Sequence, residues 1–331
     1  MKISFLGSGA WATALANVVA DNGHESVLYG IMSDEIDDIN NNHRNSKYFE
    51  DIEINQNVKA TLSLKEACDS CDVLVVAVPS SQIRVVLSQV EEVLNSKPII
   101  VNVAKGFDSQ TYRGISETIK ESIDKEKIQG VVSLMGPTFA IEVAKRYYTA
   151  ICAVSKEIEL ATKVQQIFSN EYFRVYTNTD ETGAEVGAGL KNVIAIASGI
   201  LEGLGYQDNS RAALITRGLA EITRYGLAKG ADLKTFLGLT GIGDLFLTCS
   251  SYNSRNYSCG YEIGKANSSK EFWANNKKTV EGVFACKIIY EEAEKFNLDM
   301  PITKAVYEIL YNDRKPSEVL VELMNRALKG E

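Results

Sequence analysis

A glycine-rich turn set between a short strand and a helix constrains this chain more than any other stretch. Met1 to Leu6 reads as strand, Gly7-Ser8-Gly9-Ala10-Trp11-Ala12 follows at once, and Thr13 to Asn22 reads as helix. After Gly23-His24 a second strand covers about Glu25 to Tyr29. This order of elements is the setting in which G-x-G-x-x-G/A marks a dinucleotide site. The first glycine allows the turn, and the second lets the backbone approach a pyrophosphate. Ala12 in the third slot still lets helix and strand pack closely. The pyrophosphate would lie on the unpaired N–H groups that open the helix. The competing reading is a glycine turn with no ligand, since the bare pattern also arises by chance.

The same grammar continues. Ser33 to Ile39 suggests a short acidic helix, and the Asn-rich stretch 40–57 a loop. A helix is expected over Thr61 to Ala67, with Ser63 near its start. Val73 to Val78, closed by Pro79, and Ile99 to Ala104 are continuous apolar runs, the pattern of strands buried on both faces of a parallel sheet. Helices are expected from Ser80 to about Val93 and over 111–122, then a strand from Val131 to Met135 ending in Gly136-Pro137-Thr138. Strand and helix alternate through Thr149–Val154, Glu157–Ile167 and Phe173–Tyr176. Beyond Thr179 the alternation stops. Gly183–Leu201, Ala212–Leu227, Val283–Phe296, Ile302–Leu310 and Pro316–Ala327 all read as helices, and Ser268 to Lys278 as a polar loop or short helix. The expectation is an α/β doubly wound sheet domain over 1–180 and an all-helical domain over 181–331.

Composition narrows the function. With 331 residues, 45% hydrophobic and 24% charged, the chain can bury a large core and has the make-up of a globular protein. Its net charge of -8 and lack of a basic run argue against a nucleic-acid partner. Gly7 and Gly9 interrupt any signal-peptide core, and no stretch approaches the roughly 20 apolar residues of a membrane span. The six cysteines are scattered, and Cys68-x-x-Cys71 has no second pair to make a zinc site, so a reducing cytoplasm and no metal are expected.

At the end of the second strand, where an acid would hold a ribose and an arginine a 2′-phosphate, stands Gly30-Ile31-Met32-Ser33. The choice between NAD and NADP stays open, with the missing acid leaning toward tolerance of a 2′-phosphate, and Asp34 or Glu35 is read as a helix N-terminal charge with no ligand. Both histidines, His24 and His43, lie in the first 45 residues, so the proton carrier is sought elsewhere. Lys191 is the anomaly: from Val186 to Leu201 it is the only charged residue, and Gly187, Ala188 and Gly189 make its helix thin. Lysine ordinarily titrates near ~10.4, and burial or a neighbouring cation lowers that. A lysine snorkelling to the surface is the plain alternative.

Lys105-Gly106, at a strand's carboxyl end, offers a second cation to stabilise alkoxide charge, or simply terminates the strand. Asp244 and Thr248 are spaced to share a helix face after the Gly241-Ile242-Gly243 turn; Asp244 would orient Lys191 or simply cap a helix. Ser254-Arg255-Asn256 suits a phosphate oxygen, and Gly136-Pro137-Thr138 presents another strand-to-helix turn.

Taken in order, the turn at Gly7 to Ala16, Val78-Pro79-Ser80, Ala104-Lys105-Gly106, Gly136 to Ala140, Leu190 to Ala195, Gly241 to Leu245, Leu247-Thr248-Cys249, Ser254-Arg255-Asn256, Val280-Glu281-Gly282 and Met300-Pro301-Ile302 resemble the bacterial-type NAD(P)-dependent glycerol-3-phosphate dehydrogenases. The resemblance spans residues 1 to about 325. It implies interconversion of dihydroxyacetone phosphate and sn-glycerol 3-phosphate, in the reductive direction supplying phospholipid synthesis. It further implies a Rossmann domain and a helical domain like the C-terminal one of 6-phosphogluconate dehydrogenase. Separately, a homodimer to which a helical face of 283–328 contributes is expected because closed two-fold assemblies are the commonest kind. In such enzymes the lysine at 191 is the proton acceptor, Lys105 touches substrate and coenzyme, and Asp244 completes the catalytic set. Gly136, Thr138, Asp244, Ser254, Arg255 and Asn256 are implied at the substrate, and Lys191, Asn192 and Thr248 are expected beside them. Gly7, Ser8, Gly9, Ala10, Trp11, Ala140, Arg255, Val280 and Glu281 are implied at the coenzyme. Members often carry Arg or His where Ile31 and Met32 stand. A ketopantoate-type or 6-phosphogluconate-type reductase, and a non-catalytic nucleotide sensor, are the rivals.

Overall fold

The strand Lys2–Leu6 (β1) shows why the first half becomes a sheet covered on both faces. Ile3 and Phe5 enter one core and Leu6 another, because successive side chains of a strand point to opposite faces. The computed structural model describes all residues except 109, 110, 112, 277–279, 329 and 331. The chain divides into two compact units, Met1–Glu181 and Thr182–Glu331.

In the first unit β1 is joined by β2 (Glu25–Tyr29), β3 (Val58–Thr61), β4 (Val73–Val76), β5 (Ile99–Asn102), β6 (Gly130–Met135), β7 (Thr149–Val154) and β8 (Phe173–Asn178). They form one sheet in the order β3-β2-β1-β4-β5-β6-β7-β8, parallel except between β6 and β7. The helices are α1 (Ala10–Asp21), α2 (Ser33–Asp37), α3 (Leu64–Cys68), α4 (Ile83–Val93), α5 (Ile115–Ser122), α6 (Ala140–Ala144) and α7 (Ile158–Phe168). α1, α6 and α7 cover the face that buries Val73 and Val75; α3, α4 and α5 cover the face that buries Leu74 and Val76. The apolar run of β4 is thus split between two cores. Strand order reverses between β1 and β4, the switch point at which open α/β sheets bind ligands.

One expectation in this half is corrected. Val58–Thr61 is a strand, and the helix starts only at Leu64. Thr61 Oγ1 accepts from Ser63 N and donates to Glu66, while Ser63 Oγ caps the helix through Glu66 N, so Thr61 belongs to the turn and strand. Four residues with an exposed Lys59 carry too little periodicity to be read as a strand. Part of the expected 111–122 helix lies outside the described residues.

The second unit is organised around α8 (Glu181–Gly203). By length and composition α8 is apolar enough to cross a membrane, but its apolar window is 100% buried here, which makes it a core helix. Around it lie α9 (Asp208–Ala228), α10 (Leu233–Phe236), α11 (Asp244–Cys249), α12 (Arg255–Ala266), α13 (Lys270–Asn275), α14 (Glu281–Lys295), α15 (Pro301–Tyr311) and α16 (Pro316–Met324). The helices α10 and α12 fall where the sequence pattern named none, while α11 realises the helix that the Asp244 and Thr248 spacing suggested. α12 buries Tyr257, Cys259, Gly260, Ile263 and Gly264, so glycine replaces the aliphatic stripe that marks a helix.

Those glycines meet glycines. A Cβ at Gly199 or Gly203 of α8 would lie 2.0 or 2.3 Å from the carbonyl oxygens of Tyr257 and Tyr261. A Cβ at Gly260 or Gly264 of α12 would lie 2.0 or 2.3 Å from those of Ile196 and Ile200. The two helices touch backbone to backbone over a full turn. On the other side of α8, Glu221 of α9 accepts from Ile302 N at 2.5 Å, from Thr303 N at 3.1 Å and from Thr303 Oγ1 at 3.0 Å. It caps α15 from a neighbouring helix, and burial pushes its carboxyl up to about 7 against the pull of those donors.

Two outcomes follow from this packing. Gly260→Ala should cost about 2 kcal/mol or more, because backbone on both sides has no rotamer to yield. Glu262→Ala, on the exposed face of α12, should stay within about 0.5 kcal/mol in the same urea titration. Glu221 holds its proton to higher pH folded than unfolded, so its contribution is full below the ordinary value of 4.5 and is lost as pH rises through about 7. The urea midpoint of the parent should therefore fall over that window relative to Glu221→Gln, whose side chain does not titrate.

Candidate active site

Where α8 is bare, a loop comes in. A Cβ at Gly187 would lie 2.4 Å from Thr240 O, so the segment Leu239–Gly243 rests on the helix backbone one turn before Lys191. Gly241 bends that segment with φ -104° and ψ -106°, and α11 starts at Asp244. The result is a buried ion pair, Lys191 Nζ to Asp244 Oδ2 at 2.5 Å, with side chains 4% and 2% exposed. Thr248 sits one turn on and donates through Oγ1 to Asp244 O at 2.6 Å. Lys191 does not snorkel. The Asp244 carboxylate faces the lysine.

The α8–α12 contact places a second cluster beside the first. Asn256 Nδ2 donates to Asn192 Oδ1 at 2.9 Å, and Asn256 Oδ1 accepts from Gly282 N at 2.8 Å. Gly282 is itself constrained, since a Cβ there would lie 2.6 Å from Asn192 O. Arg255, 60% exposed, pairs with Glu281 at 3.1 Å. Val280 is the N-cap residue of α14. Ser254 Oγ caps α12 by accepting from Tyr257 N at 3.3 Å, which leaves its O–H able to donate. Asn256, expected at a phosphate, has both ends of its amide already tied into the protein, and acts first as a brace between α8, α12 and the start of α14.

In the first unit the expected residues collect at the carboxyl ends of β1, β5 and β6. Gly7 has φ +122°, and a Cβ on it would lie 2.8 Å from Ala77 O, so only glycine fits. A Cβ on Gly9 would meet nothing within 4 Å, and Gly9 opens α1 with no side-chain cap. A jammed first glycine, an open second one and an uncapped helix start fit the pyrophosphate of a dinucleotide. Trp11 Nε1 adds a buried donor with no acceptor among the described residues. Ala10, Trp11 and Ala140 pack against the same core. Lys105 Nζ reaches Gly136 O at 3.4 Å, as does Thr138 Oγ1, so these three form one corner. Helix α6 starts at Ala140, later than the Pro137 turn suggested.

Two residues here were not read from the sequence as parts of a site. Asn45, 1% exposed, donates to Ser8 O and to Thr13 Oγ1, each at 2.9 Å, tying the Asn-rich segment to the glycine turn. Glu35, left as a plain helix charge, accepts from Ser8 Oγ at 2.7 Å. Nothing local in the sequence marks either contact, because both close loops longer than 25 residues.

A buried lysine paired with an acid, an exposed guanidinium on the same unit and a glycine turn of dinucleotide type are groups a dehydrogenase could use. Two family models, for the N-terminus and the C-terminus of NAD-dependent glycerol-3-phosphate dehydrogenase, match residues 2–161 and 180–321. The chain belongs to the glycerol-3-phosphate dehydrogenase family. A Macrococcus caseolyticus glycerol-3-phosphate dehydrogenase (NAD(P)+) is 44% identical over 331 residues, covering 100% of both chains. One from Listeria innocua is 45% identical over 330 residues, covering 100% of this chain and 98% of its own. The crystal structure of the Coxiella burnetii enzyme superposes with a TM-score of 0.89 at 32% identity, covering 98% of this chain and 99% of that one. A ketopantoate reductase from Ralstonia eutropha shares the fold alone, at 12% identity and a TM-score of 0.61. The chain is thus an NAD(P)-dependent enzyme that interconverts dihydroxyacetone phosphate and glycerol 3-phosphate.

Breaking a buried pair leaves a bare charge in the core. Asp244→Asn should lower the stability of the second unit by about 3 kcal/mol or more. Lys191→Met, which removes the other charge and keeps the volume, should partly restore it in the double variant, as read in the same chemical denaturation.

Proposed function

We propose that Lys191 carries the proton of this reaction: it gives one to the C2 oxygen of dihydroxyacetone phosphate during reduction and takes it back from glycerol 3-phosphate during oxidation. The reduced nicotinamide, when bound, supplies the hydride to C2. The observation that carries the assignment is the 2.5 Å contact to Asp244. A buried ammonium with a fixed partner is oriented before substrate arrives, and orientation is where much of the rate comes from. Asp244, held in turn by Thr248, positions Nζ. Lys105 is the cation assigned to polarising the carbonyl, with Gly136 and Thr138 beside it on the sheet unit.

Arg255 anchors the phosphate. Its guanidinium is exposed, one nitrogen pairs with Glu281, and its fork carries five N–H donors in all. Asn192 and Asn256 hold the segment that presents it, and Ser254 has a hydroxyl proton to add. Anchoring the substrate at a group remote from C2 lets binding energy be used at the barrier. Gly7, Ser8, Gly9, Ala10, Trp11 and Ala140 would hold the coenzyme from the first unit, Val280 and Glu281 from the second. On this reading residues 1–180 bind the coenzyme and residues 181–331 carry the proton donor. On this proposal the enzyme is a homodimer that supplies glycerol phosphate for phospholipid synthesis, with no nucleic-acid partner, in a reducing cytoplasm, which its six free, buried cysteines fit.

The test follows coenzyme absorbance with dihydroxyacetone phosphate and with unphosphorylated dihydroxyacetone. The phosphorylated ketone alone should be reduced efficiently. Lys191→Ala should lower kcat on the order of a hundredfold or more with little change in coenzyme affinity, the size expected for loss of a general acid. Arg255→Ala should act mainly on substrate KM. Unchanged turnover in the first variant, or unchanged KM in the second, overturns the corresponding role.

A further inference from the structure

The residues around the glycine turn also bear on which coenzyme is taken. Strand β2 runs out at Gly30-Ile31-Met32, with no acid and no guanidinium. None would fit at the first of these positions. A Cβ on Gly30 would lie 2.6 Å from Ser8 Oγ and 2.9 Å from Ile36 Cδ1. The carboxylate arrives from elsewhere: Glu35, 8% exposed, folds back from α2 so that Ser8 Oγ donates to its Oε2 at 2.7 Å. Its Oε1 pairs with the ammonium of Lys47. Asn45 fastens the intervening segment to Ser8 O, so the loop that delivers Lys47 is fixed to the same turn.

We propose that Glu35 selects the coenzyme and that this chain binds NAD(H) in preference to NADP(H). The inference rests on the dinucleotide reading of the glycine turn. A 2′-phosphate is a dianion in need of cations, and sites that accept it offer an arginine at the end of the second strand. Here Ile31 is 81% exposed and Met32 49% exposed, giving an apolar ledge with no charge. Of the two cations in the following loop, Lys47 is already matched by Glu35, and Arg44 lies in the field of Asp38. Asp34, Glu35, Asp37 and Asp38 outnumber them, so a phosphate would meet net negative charge. A ribose that ends in a hydroxyl meets no such repulsion.

Calorimetric titration with NADH and with NADPH, in the absence of substrate, tests this directly. The parent should bind NADH about tenfold or more tighter than NADPH, the order a partly screened charge contact supplies. Glu35→Gln should free Lys47 and narrow that ratio by about tenfold through the NADPH arm, with NADH little changed. Adding Lys47→Ala to Glu35→Gln should remove the gain. Lys47→Glu alone should widen the ratio, and serves if Glu35→Gln does not fold. Equal or tighter binding of NADPH by the parent, or a ratio that neither Glu35→Gln nor Lys47→Glu moves, overturns the selection while leaving the dinucleotide site in place. Failure to bind either coenzyme overturns the dinucleotide reading itself.

Discussion

The second unit depends on how closely other backbone can approach α8. At Gly199 and Gly203 it meets α12, at Gly187 it meets the Thr240 carbonyl, and at Asn192 the Gly282 turn meets it in return. Each contact excludes even one methyl group from the glycine involved. Chain segments far apart in sequence are thereby brought within hydrogen-bonding range of one helix, the one that carries Lys191 and Asn192. Close packing of this kind does not deform gradually, because protein interiors are already near crystal density. The chemistry inherits that stiffness.

The buried pair illustrates what the stiffness is for. Two charges removed from water gain little net stability from each other, so Lys191 and Asp244 are poor candidates for a purely structural role. Their value lies in direction. A lysine has a long, mobile stem, and a carboxylate at 2.5 Å from Nζ selects one arrangement of it. Asp244 is fixed because α11 starts where the Gly241 bend lets it start. Thr248, donating back to the first turn, keeps that short helix closed. The Asn192–Asn256–Gly282 chain performs the same service for the segment that displays Arg255.

The first unit uses a different device. Its site sits where strand order reverses, and the turn after β1 is shaped by one glycine that has no room and another that has nothing in front of it. Around that turn the Asn-rich segment is anchored rather than loose: Asn45 binds Ser8 and Thr13, while Glu35 and Lys47 close the corner. Polar residues that look like loop filler in a linear reading are the parts that hold the glycine turn.

What could be read without coordinates was whatever local pattern encodes. The glycine turn, the doubly buried strands, the change to helices near residue 180 and the isolated lysine of α8 all depend on neighbours a few residues away. The same is true of the order of motifs by which the family was recognised. Strand β3 was missed because four residues with an exposed lysine carry no period, and α12 because glycines stand where an aliphatic stripe would be sought. Partners were a different matter. That Lys191 faces Asp244, that Asn256 braces rather than stands free, and that Glu35 turns back to Ser8 are contacts across 53, 64 and 27 residues of chain. Sequence supplied the groups and their elements. Which group touches which was decided by backbone approach at glycines and by loop closure, and neither leaves a mark on the residues between.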